Sequence, residues 1–263
     1  MNPAEHNELV AVADAAGVRS ITLNNPAARN ALSGPMMAAL CGAFRAAARD
    51  PSVRVVVLAA NGPAFCAGHD LKEIRANPGA AFHEALMAGC VDLMMAIVRC
   101  PKPVIARVHA TATAAGCQLV ASCDLAVAAR EAKFATPGVN IGLFCSTPMV
   151  ALSRNLSNKH AMEMLLCGEM IDADTAWRMG LLNRVVAADE LDATVEHLAR
   201  TIAGKSSHTL AIGKEAFYAQ REMGLEDAYR YAAGVMVANL QAEDAKEGIG
   251  AFIEKRPPCW VDR

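Results

Sequence analysis

The 263-residue sequence has no unbroken apolar run approaching about 18 residues, so no membrane-spanning helix is expected. It lacks an excess of either charge. Lys and Arg number 25 and Asp and Glu 27, a net of 25 − 27 = −2, and no basic cluster is interleaved with aromatics. That argues against a nucleic-acid or anionic-membrane surface as the main function. The nine cysteines, at 41, 66, 90, 100, 117, 123, 145, 167 and 259, include no Cys-x-x-Cys pair. An odd number, mostly inside apolar runs, reads as buried reduced thiols of an intracellular protein. The seven histidines lack ligand-like spacing, so no metal site is expected. The opening "MNPAEHNELV" has no basic n-region, apolar h-region or Arg-rich amphipathic stretch, so a cytoplasmic location is expected. Tandem repeats and low-complexity segments are absent. So is a G-x-S-x-G elbow, which leaves an esterase-like hydrolase little support.

What is present is a chain 54 % hydrophobic and 20 % charged, enough for a sizeable core. The length fits one large α/β domain, or one domain with a helical appendage. Short β-branched runs alternate with helical stretches. Residues 18–25, 53–60, 102–110 and 124–129 read as strands, and "VRVVVLAA" (53–60) is apolar throughout, as in a parallel sheet covered on both faces. Residues 33–50 and 80–99 read as helices, the first with Ser33 as N-cap and Pro35 in its first turn. The β-α-β rhythm predicts a parallel sheet with right-handed crossovers. From about 147 the chain reads as helices over 147–154, 158–167, 172–179, 189–203, 206–222, 224–241 and 243–254, broken by one short strand, "LLNRVV". A boundary near 200 divides a β-rich core (1–200) from a helical C-terminal region (201–263).

Two strand-to-helix transitions carry small residues: "FCAGHD" (65–70) and "TAAGC" (113–117). A helix N-terminus leaves backbone N–H groups unpaired and carries positive partial charge, and small side chains let another molecule approach. Two such turns facing each other could hold one carbonyl oxygen between two donors, an oxyanion hole. Tight helix–sheet packing would also explain small residues at either turn alone.

These turns, with "NNPAARNALS" (24–33), "AFCAGHDLKE" (64–73), the stretch from "KPVIARVHA" to "NIGL" (102–143), "GEMIDADTAWRMGLLNRVV" (168–186) and "EGIGAFIEKRPPCW" (247–260), resemble the enoyl-CoA hydratase/isomerase, or crotonase, family over nearly the whole chain. The resemblance implies an α/β fold: a spiral of ββα turns with a helical C-terminal part that packs in a homotrimer, or in a hexamer of paired trimers. It implies an acyl-CoA thioester as ligand, with coenzyme A entering as part of the substrate and no separate cofactor. It assigns the oxyanion amides to His69 and Ala115. It puts Arg29 at the nucleotide end of CoA, with Ala28 and Ala67 leaving room for the ligand, and Phe252 and Lys255 at the acyl tunnel and the CoA phosphates.

The chain departs from the family at both catalytic carboxylates. Gln118 stands where Gly-Cys-Glu is usual, and Gly138 follows Pro137 where Pro-Glu is usual. Glutamine bonds hydrogen but does not titrate, and glycine has no side chain. General acid–base groups are worth roughly 10²–10⁴-fold each, so ordinary hydration is expected to be weak. Chemistry resting on enolate stabilisation, decarboxylation or isomerisation, fits better; a non-catalytic acyl-CoA binder or regulator is the alternative. Asn140, Cys145 and Ser146 are expected near the pocket, Cys145 without a basic partner to activate it. Asp70 is expected to cap its own helix, and His83 and Glu84 to sit at the surface or rim.

Overall fold

The computed structural model describes residues 8–263. A hairpin opens the fold: β1 (Val10–Ala15) runs antiparallel to β2 (Val18–Leu23) through Ala16 and Gly17, both at positive φ, the geometry of a two-residue type I′ turn. β1 escaped the sequence reading, because its Val/Ala alternation offers little bulk to mark a strand. Then come α1 (Gly34–Arg49), β3 (Val55–Ala60), α2 (Leu71–Ala76), α3 (Ala80–Val98) and β4 (Val104–Val108). The short β5 (Ala112–Thr113) leads into α4 (Ala115–Ser122), followed by β6 (Leu125–Ala129) and the short β7 (Lys133–Ala135). The helical remainder holds α5 (Ser146–Leu152), α6 (Asn158–Cys167), β8 (Ile171–Asp172), α7 (Ala173–Met179), β9 (Arg184–Val186), α8 (Leu191–Ala203), α9 (Ser207–Gln220), α10 (Leu225–Gln241) and α11 (Glu243–Glu254).

The main sheet has the order β1-β2-β3-β4-β6-β9, parallel from β2 onward. A second sheet has the order β5-β7-β8. Successive turns of the spiral each give the main sheet a long strand and the second sheet a short piece: β4 then β5, β6 then β7. Single bridges from Leu32 to His69 and from Cys66 to Ala112 continue this pattern towards the N-terminus. Alternation along the central strands explains why they are apolar throughout. Val56, Leu58 and Ala60 join the core that includes Phe44, Leu93 and Ile97 of α1 and α3. Val55 and Val57 face Leu191, Val195 and Ala199 of α8 on the other side.

Ser33 caps α1 as expected, its hydroxyl accepting from the Met36 amide at 3.3 Å. One expectation is corrected. α3 is 19 residues long with a mean hydropathy of 1.6, enough by length and composition to cross a bilayer. His83, Glu84 and Asp92 interrupt it, which hid it from a count of unbroken apolar residues. Its inner stripe, Leu86, Cys90, Leu93, Met94 and Ile97, is buried in the core that α1 shares.

α9 is tied to the core by a buried ion pair. Lys214 Nζ donates to Asp124 Oδ2 at 2.6 Å and to the carbonyls of Ile97 and Lys102, and Tyr218 donates to Asp124 Oδ1 at 3.0 Å. The C-terminal tail folds back: Asp244 accepts from the amides of Val261 and Asp262, and Trp260 Nε1 donates to the Gly204 carbonyl.

Candidate active site

The second sheet brings the two small-residue turns side by side. Phe65 N donates to Thr111 O at 2.9 Å, Thr113 N to Cys66 O at 2.9 Å, and the Thr113 hydroxyl to Ala67 O at 3.1 Å. Gly116 permits this closeness, since a methyl there would lie 2.8 Å from the Cys66 Cβ. Gly68 does the same from the other side. It sits at φ 91°, and a methyl on it would lie 2.8 Å from the Ala114 methyl and 3.3 Å from the Ala115 nitrogen.

Neither the His69 amide nor the Ala115 amide has an acceptor among the described residues. Ala115 is the first residue of α4, so its N–H also lies at the positive end of the helix. Its orientation is set by Ala114, held at φ 50°, ψ −121°. That conformation is strained for a residue with a Cβ. The Ala114 amide is anchored by the Ala135 carbonyl of β7 at 2.9 Å.

A third segment completes the wall. Ala67 N donates to Arg29 O, Leu32 N to Gly68 O and Asp70 N to Leu32 O, so residues 28–32 run beside the first turn. Ala28, Arg29, Ala67 and His69 are thereby brought together. Ala28 and Arg29 are exposed, and the Arg29 guanidinium has no ion pair among the described residues. Sequence reasoning passed over Asn30. It is fully buried, also at positive φ, accepts from the Asn25 amide and donates to the carbonyls of Asn61 and Ala64. One side chain thus clamps the loop after β2 to the loop that carries the first turn. An asparagine between β2 and α1, tolerant of left-handed backbone, was the available signal.

Gln118 lies one turn after Ala115 and is 5 % exposed, with Oε1 3.8 Å from the Cys90 thiol of α3. At Gly138 the missing carboxylate could not be restored by substitution alone. A Cβ there would meet Leu143 O at 2.6 Å and Cys145 Sγ at 2.9 Å. Nearby carboxylates are committed elsewhere. Asp70 caps α2 as expected, accepting from the amides of Lys72 and Glu73. Glu73 reaches across to accept from the Gly34 amide at the start of α1. The one carboxylate counted as buried among the described residues is Asp244, bound to the C-terminal tail.

The thiols around the site are neutral. Burial pushes Cys66 and Cys117 up to about 12 and Cys90 to about 11. Burial also raises Cys145, only partly countered by the Gly138 amide, so it is not an activated nucleophile. Asn140 and Ser146 are exposed. Asn140, in the 3-10 turn Pro137–Ile141, donates to the Gly168 carbonyl, and Ser146, the first residue of α5, donates to the Phe144 carbonyl. His83 is half-buried on α3 with its Nε2 shut off from solvent, and Glu84 is exposed, as expected of surface or rim residues. Phe252 and Lys255 are not joined to this wall within one chain. Phe252 is 85 % exposed, and Lys255, at the end of α11, has no ion pair among the described residues. Among those residues no group of three or more His, Cys, Asp or Glu is placed to hold a metal ion. An open cleft of about 260 Å³ lined by Phe44, Arg45, Asp92 and Arg99 shares no residue with the two turns.

Burial drives the His69 imidazole pKa below its ordinary 6.5, so the ring is neutral near pH 7. The arrangement sets two amides without acceptors on adjoining turns, and the carboxylates that follow the first turn, Asp70 and Glu73, are engaged at helix starts.

Residues 13–263 match the family model described as enoyl-CoA hydratase/isomerase. A Xenopus laevis protein named mitochondrial enoyl-CoA hydratase domain-containing protein 3 is 46 % identical over 257 residues, 98 % of this chain and 87 % of its own length. A Mycobacterium smegmatis crystal structure described as enoyl-CoA hydratase matches with TM-score 0.94 and 55 % identity over 96 % of this chain and 99 % of that one. The crystal structure of human enoyl-CoA hydratase domain-containing protein 3 matches with TM-score 0.93 and 45 % identity over 96 % and 100 %.

Proposed function

The chain belongs to the enoyl-CoA hydratase/isomerase family, of crotonase fold, and from that premise we propose that it binds an acyl-CoA thioester with the carbonyl oxygen between the amides of His69 and Ala115. The observation that carries this reading is the pair of unpartnered amides on two turns in contact. Two N–H donors at a low-dielectric helix start stabilise an enolate oxygen by a few kcal/mol. Arg29, beside the first turn, would meet the phosphates of CoA.

The same site supports enolate chemistry better than hydration. Hydration needs an acid and a base acting on one water, and neither Gln118 nor Gly138 supplies one. Decarboxylation of a malonyl-type thioester needs no protein base: the C–C bond pair moves onto the thioester as an enolate, carbon dioxide leaves, and water later protonates the α carbon. Isomerisation needs one shuttled proton, and the neutral His69 imidazole is a group of the right kind. One observation favours a second reading, a non-catalytic acyl-CoA binder: the backbone of Leu143 and the thiol of Cys145 close the space beside Gly138.

Incubation with crotonyl-, malonyl- and methylmalonyl-CoA, followed by mass, tests these readings. Crotonyl-CoA hydration should run roughly 10²–10⁴-fold below that of glutamate-bearing relatives, with product from a malonyl-type thioester. Crotonyl-CoA turnover equal to theirs would falsify the enolate reading. Tight binding without product from any of the three would favour the binder. For location, unpaired cysteines, seven buried and two exposed, support a reducing intracellular compartment; the name of the Xenopus relative puts that protein in mitochondria.

A further inference from the structure

The C-terminal helices leave the core and return to it at one side chain. Arg54, just before β3, donates from Nε to the Ala203 carbonyl at 2.7 Å and from Nη2 to the Lys205 carbonyl at 2.6 Å, where the chain passes from α8 to α9. The same guanidinium donates from Nη1 to Asp262 Oδ2 at 2.7 Å, in the tail that follows α11. The tail itself runs back along α11. The Cys259 amide donates to Glu247, and the Val261 and Asp262 amides donate to Asp244, which is 1 % exposed. The Trp260 ring lies on Gly248, where a methyl group would come within 3.1 Å of it. Three contacts then bridge this tail to the core side: Trp260 Nε1 to the Gly204 carbonyl, the Ser207 amide to Asp262 Oδ1, and Arg54 to Asp262.

α9 has its own tie to the core through Lys214 and Asp124. α10 and α11 are held differently. Among their described residues only Asp244 and Ala251 are buried, and Ala251 belongs to neither apolar cluster around the main sheet. Helices in proteins owe most of their stability to an apolar face packed on a core, and chain ends stay loose unless tied down. We propose that residues 260–263 are a latch, closed on Arg54, Gly204 and Ser207, that holds α11 against the core within one chain. Opening it loosens α11 and leaves the spiral core folded. Phe252 and Lys255 lie at the end of α11, so the latch sets where both of them stand.

Hydrogen exchange of the full chain, followed by mass spectrometry, tests this on Asp262→Ala, Asp262→Asn and Trp260→Phe. Asp262→Ala removes two of the three bridges and should speed exchange in α11 by roughly tenfold or more, since bonds to charged groups weigh most. Asp262→Asn keeps an acceptor without the charge and should have a smaller effect. Trp260→Phe keeps a ring on Gly248, loses one bond and should also fall below Asp262→Ala. Exchange in β3 and β4 should match the wild type in all three. Unchanged protection of α11 in Asp262→Ala would overturn the proposal, because packing would then hold the helix without the tail. Equal acceleration in β3, β4 and α11 would overturn it too, because the tail would then belong to the cooperative core. Asp262 is exposed, and Asp262→Asn tests the same bridge even if Asp262→Ala does not fold.

Discussion

Ala114 shows at the scale of one residue how this site differs from a glycine-lined turn. Its backbone angles suit glycine, and holding an alanine there costs about 1–3 kcal/mol. The strain persists because Ala135 anchors its amide and its methyl packs on Gly68. Ala114→Gly should raise the melting temperature by a few degrees, since relief of strain exceeds the roughly 0.5–1 kcal/mol of added chain entropy. A lower melting temperature would show that the methyl contact across the two turns is worth more than the strain. The letters Gln118 and Gly138 announced the loss of titrating groups. Asp70 was legible as the cap of its own helix, whereas only the structure revealed that Glu73 serves the start of α1 and that position 138 has no room for a side chain.

Among the elements, α9 depends on one cation. Lys214 is 7 % exposed and binds an aspartate and two carbonyls. Lys214→Met removes the partner of a largely buried Asp124 and should cost about 3 kcal/mol, roughly 6–12 °C in Tm for a chain of this size. Scanning calorimetry checks this, and a change under 1 °C would mean that the pair contributes nothing. α11 and the tail respond to pH. The Arg256 guanidinium, then the Cys259 amide, bring Glu247 from an ordinary 4.5 to about 2. A lowered carboxylate pKa stabilises the folded tail fully above about pH 4.5 and loses that stabilisation as pH falls towards 2. In a Trp177→Phe protein the remaining Trp260, bonded to the Gly204 carbonyl, reports the release. Its fluorescence should be constant above pH 5 and change between about 4.5 and 2. A change centred near neutrality would place the clasp elsewhere.

For the whole molecule, exposed apolar side chains argue for a partner surface. Leu225, Tyr229, Met236 and Val237 of α10, with Phe252 and Ile253 of α11, are more than half exposed. A surface of this kind is unusual for a monomer, and the proposed homotrimer would cover it. Sedimentation at micromolar concentration should give three times the chain mass, or six if trimers pair. Val237→Glu should shift it downward, and a monomeric wild type would refute the assembly. A second copy could also supply the tunnel and phosphate ends of the CoA site, which Phe252 and Lys255 do not furnish within one chain.

The sequence by itself determined the long elements, because apolar period and helix caps are local signals: β2, β3, β4, β6 and every helix from α1 onward fall where pattern and cap residues put them. It also determined which groups cannot titrate at positions 118 and 138, since that is a property of the residue type. The short strands β5, β7 and β8, of two or three residues, carry no period and exist only through pairing across the chain. They bring the two amides together, so tertiary structure alone decided the juxtaposition of His69 with Ala115. It decided also that Asn30 is a clamp, because burial and partnership depend on segments distant in sequence.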